Sequence, residues 1–272
     1  RRRPVSRCDL TRRRRLQRPR AGECHAANAR RGKMFARDRI DREYAQPLDV
    51  EALAMHRAKW LAENRALGGK KVLFTTFTRN LALDIEENLK TLCSADAMSR
   101  IEVKNLDAWV GGFMRARKLE HRIVYDRKQD GALQAWQVAL AAKDPTLDLP
   151  DSFYSDELEQ VVLAQGLTTL DQYRTARRIG RGVILSRAKR DAVWPVFEEY
   201  RGQLASRKLK EVDDAYREIA EMIATEQGSE LGYAAIVIDE TQDFGPQALK
   251  LLRAMIAHGP NDLFFVGDGH QR

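Results

Sequence analysis

Two apolar runs near the C-terminal end of this chain are continuous rather than alternating. Ala235-Ile236-Val237-Ile238 leads into Asp239-Glu240-Thr241-Gln242-Asp243-Phe244. Leu263-Phe264-Phe265-Val266 leads into Gly267-Asp268-Gly269-His270-Gln271-Arg272. A strand buried on both faces reads as such a run, which is the habit of parallel sheets. Residues 71–76 and Ile101-Glu102-Val103 predict two more strands. Between them apolar positions recur at helical spacing. Residues 51–66 predict a helix with Leu53, His56, Trp60 and Leu61 on related faces, ended by Leu67-Gly68-Gly69. Residues 79–93 predict another, with Leu81, Ile85, Leu89 and Leu92 on one stripe. Leu106-Asp107-Ala108-Trp109-Val110 opens a third, in which Trp109 reads as core packing in preference to stacking on a DNA base.

From about 115 to 225 the pattern is helical and charged. Asp144-Pro145 and Leu149-Pro150-Asp151 are breaks. Ser155-Asp156-Glu157-Leu158 reads as a helix start with acids in its first turn. Arg190 to Thr225 reads as one long helical stretch that Trp194-Pro195 breaks or kinks near its start, and Gly228-Ser229 as the return to the sheet. The fold class expected is α/β, with a helical block inserted between the strands at 101–103 and 235–239. The expected division is a tail over 1–45, the first part of the sheet domain over 46–114, the insertion over 115–227 and the rest of the sheet domain over 228–272.

The formal net charge of +8 over 272 residues suggests nucleic acid, but its distribution changes that picture. Residues 1–40 alone carry +12, so the remainder carries −4. The tail has no apolar periodicity. Arg1-Arg2-Arg3 and Arg12-Arg13-Arg14-Arg15 would repel one another in a compact state, so disorder is expected there. Three readings are open: an arginine-rich nucleic-acid arm, a transit peptide, or sequence that is not native protein. Low serine content and the lack of an amphipathic pattern count against the second. Patternless composition and the absence of an initiator Met favour the third. Cys8, Cys24 and Cys93 are too few and too scattered for a disulfide framework or a zinc site. No apolar run reaches the length of a membrane span. The default expectation is a soluble, cytoplasmic protein.

The strand ends carry the chemistry. Ligands of parallel α/β sheets bind beyond the carboxyl ends of the strands, and the first run delivers Asp239 and Glu240 there. The second delivers Asp268 and Gln271. Hydrolysis of a nucleoside triphosphate needs Mg²⁺ on the phosphates and a carboxylate to hold it. Asp239 suits that role, and Glu240 suits the orientation or deprotonation of the attacking water. Gln271 suits the sensing of a γ-phosphate.

Asp239-Glu240-Thr241-Gln242-Asp243-Phe244 after a buried strand resembles the Walker B motif of UvrD/Rep-type superfamily 1 DNA helicases. Gly267-Asp268-Gly269-His270-Gln271-Arg272 resembles their motif III. Val72-Leu73-Phe74-Thr75-Thr76-Phe77-Thr78-Arg79-Asn80-Leu81-Ala82 is similar to their motif Ia, a strand end and loop that touch single-stranded DNA. The three stand in the family's order, and the resemblance spans about residues 52–272. It implies a RecA-like P-loop NTPase sheet, with the helical block as a 1B-like subdomain. It implies ATP and Mg²⁺ as cofactors, DNA as partner, and ATP-driven translocation and unwinding as the parent activity. Asp239, Gln242 and Asp268 would then face nucleotide, Glu240 and Gln271 would be catalytic, and Thr75, Thr76, Phe77, Thr78, Arg79 and Asn80 would line the DNA path.

One part of that family's site is missing. No G-x-x-x-x-G-K-[ST] phosphate loop occurs in these 272 residues. Ala27-Asn28-Ala29-Arg30-Arg31-Gly32-Lys33-Met34 lacks the first Gly and the hydroxyl, and no apolar strand precedes it. Ala54-Met55-His56-Arg57-Ala58-Lys59-Trp60-Leu61 resembles the helix after that loop, which puts Asp49-Val50-Glu51 where Gly-Lys-Thr belongs. The family's second motor domain, which supplies arginines to the γ-phosphate, is not represented either. The expectation is a truncated helicase part that is catalytically inactive as it stands. The alternatives are a non-catalytic remnant that binds nucleic acid or a partner, and a degraded gene product. With no strand before residue 51, the run Leu263–Val266 is expected to form an exposed sheet edge.

Overall fold

The computed structural model describes residues 50–129, 131–225 and 231–267. The tail, Asp49, Gly228-Ser229, Asp268 and Gln271 lie outside them.

Four parallel strands build the main sheet. They are β1 (Lys71–Thr75), β2 (Ile101–Val103), β5 (Tyr233–Ile238) and β6 (Leu263–Phe265), in the order β2-β1-β5-β6. Their apolar runs serve both faces, because successive side chains point to opposite sides. Val72, Phe74, Ala235 and Val237 meet one core, under α1 (Val50–Asn64) and α2 (Arg79–Leu92). Leu73, Ile236 and Ile238 meet the other, under α4 (Leu106–Ala116), α9 (Val212–Thr225) and α10 (Pro246–Ala254). A short helix α3 (Ala95–Ser99) leads into β2. Trp109 belongs to the second core. It is 7% exposed, lies stacked on Phe113 at 5.4 Å and donates its indole N–H to the Tyr233 hydroxyl at 2.9 Å.

The sequence misjudges the buried face of α1. Ala54, Ala58, Leu61 and Ala62 are buried, whereas Leu53 and Trp60 are more than two-fifths exposed. Alanines let the helix axis approach the sheet closely, and size alone does not mark the inner face. Trp60 instead lies under the Arg57 guanidinium at 4.7 Å, which also sits 5.4 Å from the Phe264 ring. Among the described residues β6 is a sheet edge, with Phe265 49% exposed.

Residues Val124 to Leu209 hold a third, separate core. It is built on α5 (Ala132–Ala141), α6 (Asp151–Glu157), a π-helical turn (Leu158–Leu163), α7 (Leu170–Thr175) and α8 (Arg187–Ser206). Three expectations need correction here. The helix begins at Asp151 behind Pro150, not at Ser155, and Glu157 is buried at its end. Arg190–Thr225 is not one stretch. It divides into α8 and α9 around β4 (Leu209–Glu211), which pairs in parallel with β3 (Arg122–Val124). Finally, of the break or kink expected at Trp194-Pro195 the break does not occur: α8 runs through Pro195. A proline there removes one helical hydrogen bond, but Val193, Trp194, Val196, Phe197, Tyr200 and Leu204 are all buried around it, and that packing holds the turn. No described helix is long and apolar enough to cross a membrane.

Asp213, in the first turn of α9, has its carboxyl pushed up to about 6. Burial is the main cause, Glu211 and Asp214 add to it, Arg127 opposes it, and Glu159 adds a little. The folded chain therefore binds this proton more tightly than the unfolded chain. Its contribution to stability is greatest below the ordinary carboxyl range and is lost as pH rises towards 6. Asp213→Asn should flatten that decline: urea midpoints of variant and parent should diverge in the variant's favour between pH 4 and pH 7. Parallel midpoint curves would refute it.

Candidate functional site

The carboxyl ends of β1, β5 and β6 lie at one end of the sheet, and backbone hydrogen bonds join their loops. Asp239 directly follows β5 and is 4% exposed. Its N–H donates to the Thr75 carbonyl at 2.9 Å, which fixes the tip of β5 to the tip of β1. Glu240 then takes a left-handed conformation, φ 50° and ψ 44°, uncommon for a residue with a side chain. This reversal opens the 3₁₀ turn Thr241–Asp243. It aims Thr241 at β6: its N–H and its hydroxyl donate to the Val266 carbonyl at 2.9 and 2.7 Å. The Gln242 amide donates to the Glu240 carboxylate.

Gly267 completes this junction. A Cβ there would lie 2.3 Å from Gln242 Oε1 and 3.0 Å from the Thr241 nitrogen, so a side chain would displace the Gln242 amide and press on the backbone of the acidic loop. The Gly that opens the sequence motif thus leaves room for the Gln242 amide between the two strand ends. Asp268 and Gln271 follow it but are outside the described residues.

The loop after β1 forms the other wall. Thr75 and Thr76 are fully buried, and their hydroxyls find no hydrogen-bond partner among the described residues. Unpaired buried hydroxyls are costly. The exposed part of the run is Phe77 to Asn80. Phe77 is half exposed and meets the buried Phe244 edge-on at 5.9 Å, tying this loop to the acidic one. The Thr78 hydroxyl oxygen accepts from Leu81 N–H at 3.3 Å and caps α2. Arg79 and Asn80 stand in solvent on the first turn of that helix.

Two adjacent carboxylates at a strand end suit a magnesium ion that takes its remaining oxygens from phosphate and water. They do not make a metal centre by themselves, and among the described residues no group of three or more metal-binding side chains exists. The phosphate side fits less well. Glu51 stands in the first turn of α1, a carboxylate at a helix end that otherwise favours anions. A cavity of about 310 Å³ lies at the other end of the sheet, lined by Asn64, Arg65, Lys70, Tyr233, Pro260 and Asp262. It is remote from the carboxylates and adds nothing to this chemistry.

Sequence reasoning placed Phe244 and Val266 in the motif runs without their framing contacts, and missed Gln247 altogether. Gln247 is fully buried on the first turn of α10 and donates to the Ala164 carbonyl at 2.8 Å, which joins the acidic loop's helix to the helical insertion. A lone glutamine in a helix start carries no sequence signal for such a bond. An aromatic closing an acidic turn, as Phe244 does, is the one cue that was legible.

The family model described as the UvrD/REP helicase N-terminal domain matches residues 52–272. No curated protein matches the chain.

Proposed function

Because the chain belongs to the UvrD/REP helicase N-terminal domain family over residues 52–272, we propose that it supplies the strand-end carboxylates and the single-strand loop of an ATP-dependent DNA helicase. In that family this domain takes ATP with Mg²⁺ and binds DNA. Asp239 is the residue that would hold magnesium, whose charge neutralises phosphate when it is bound. In a complete helicase Glu240 would orient the attacking water, with its carboxylate held by the Gln242 amide. Asp268 and Gln271, which follow β6 in the sequence, are the candidates for further nucleotide contact.

The observation that carries this reading is the pair of bonds Asp239 N–H to Thr75 and Thr241 to Val266. They tie the ends of three motif-bearing strands together, so the acidic loop and the loop after β1 share one frame. On the DNA side, Arg79 and Asn80 are placed to meet phosphate and Phe77 to meet a base. Thr75 and Thr76, being buried, act behind that surface, and Thr78 shapes it by capping α2. Glu51 in the first turn of α1 favours a further element of the reading: this polypeptide binds nucleic acid without turning over ATP.

Binding tests the DNA part. Phosphate neutralisation dominates non-specific affinity, with a salt slope proportional to the contacts made. Residues 1–40 carry +12 and the rest −4. A chain shortened to begin at Asp41 should therefore bind oligo-dT at least about tenfold more weakly at low salt, with a shallower salt slope. Arg79→Ala should weaken the remaining binding further. Equal affinity and slope for the full and shortened chains would show that the loop after β1 carries the binding by itself.

A further inference from the structure

The loop between α7 and α8 displays the most exposed large aliphatic side chains among the described residues. Ile179 is 88% exposed and Ile184 is 89% exposed, with Val183 at 42% beside them. No acid occurs in the sequence from Gln172 to Arg190, and the exposed cations Arg177, Arg187 and Lys189 flank the isoleucines along the chain, while the nearest acids, Asp156, Asp171 and Asp191, are paired with Arg181 and Arg174. Single exposed aliphatics are ordinary. Two nearly bare ones on the same short loop, with a surplus of exposed cations along it, are not.

The loop is pinned from beneath. Arg178 makes a two-pronged pair with the buried Glu157 at 2.6 and 2.8 Å, and its Nη1 donates to the Val183 carbonyl at 2.6 Å. Arg181 Nε reaches the same carboxylate at 3.2 Å. Gln165 holds the Arg177 backbone from both sides: its Nε2 donates to the Arg177 carbonyl at 2.7 Å, and its Oε1 accepts from the Arg177 N–H at 3.3 Å. Leu185, 6% exposed, plugs the far limb into the helical core. Each limb is anchored, so Ile179 and Ile184 point outward from a braced loop. The ordering cost that a mobile loop would meet on binding is largely met already.

We propose that this loop is a docking knob for a protein segment carrying carboxylates interspersed with apolar side chains. Ile179 and Ile184 enter the partner's apolar surface, while Arg177, Arg187 and Lys189 pair with its carboxylates around the rim. An apolar centre with a charged rim is the usual anatomy of a specific protein contact, and the charge on the rim sets partner choice and encounter rate. Nucleic acid fits less well. Phosphates satisfy the cations, but base faces stack on flat rings, and two branched aliphatic side chains offer none.

The test uses the full chain and a fluorescein-labelled peptide repeating Glu-Asp-Leu, with a Glu-Asp-Ser repeat and oligo-dT as comparison probes, read by fluorescence anisotropy. The double variant Ile179→Ser/Ile184→Ser touches no core contact, and the tail is the same in parent and variant. It should weaken the Leu-bearing peptide by about tenfold or more and leave the Ser-bearing peptide and oligo-dT unchanged. Arg177→Ser/Arg187→Ser should weaken both peptides. The proposal is overturned if the isoleucine variant binds the Leu-bearing peptide as the parent does. It is also overturned if that variant loses oligo-dT affinity to the same extent, which would make the loop a nucleic-acid surface.

Discussion

Glu157→Ala lowers the stability of the chain by roughly 3–5 kcal/mol, seen as a lower urea midpoint at unchanged slope. Glu157 is fully buried. Its carboxylate takes both prongs of Arg178, the Nε of Arg181 and the Tyr173 hydroxyl at 2.9 Å. Burial pushes that hydroxyl's pKa well up, and the adjacent carboxylate adds to the effect, so Tyr173 stays a donor. Removing the carboxylate strands the Arg178 guanidinium, 7% exposed, while Arg181 keeps Asp156 at 3.5 Å, and an uncompensated buried charge is the costly case. Arg178→Met in the same background should recover part of the loss, because replacing both partners removes the stranded charge. Asp151→Ala serves as the contrast. Its partner Lys143 lies at 2.6 Å, but the two side chains are 39% and 60% exposed, and such pairs are worth about 1 kcal/mol or less. Equal losses for the two alanine variants would mean that the Glu157 cluster is not the anchor described.

The sheet was legible because its strands are continuous apolar runs, and so was the end of it that matters, because two of those runs finish in carboxylates. Length set the limit elsewhere. Arg122-Ile123-Val124 and Leu209-Lys210-Glu211 are too short for an alternation to show, so β3 and β4 were invisible and α8 and α9 merged into one stretch. Glu157 looked like an ordinary acid in a helix start. Only the fold brings Arg178 and Arg181 across to bury it. The stripe on α1 failed for the opposite reason, since its buried positions are alanines and its largest side chains face out. At the site, the sequence named Asp239, Glu240 and the run Thr75–Asn80. It had no means of separating the buried Thr75 and Thr76 from the exposed Phe77, Arg79 and Asn80, because that division depends on where β1 ends.

The second large effect concerns catalysis. Asp239 and Glu240 follow β5 at the carboxyl end of the sheet, yet these 272 residues contain no G-x-x-x-x-G-K-[ST] loop, and Glu51 occupies the first turn of α1. The loop's backbone N–H groups and lysine carry the charge of the transferring phosphoryl group. Loss of one such stabilising cation from phosphoryl transfer typically costs about 10³–10⁵ in rate. Carboxylates alone do not replace it, since they repel the phosphate they are meant to serve.

Phosphate release from ATP by the 272-residue chain, with Mg²⁺ and single-stranded DNA present, is the direct measurement. The prediction is release at the rate of the protein-free control, unchanged by Glu240→Gln. Steady turnover that Glu240→Gln abolishes would contradict the account, and would place a working phosphate site in this chain.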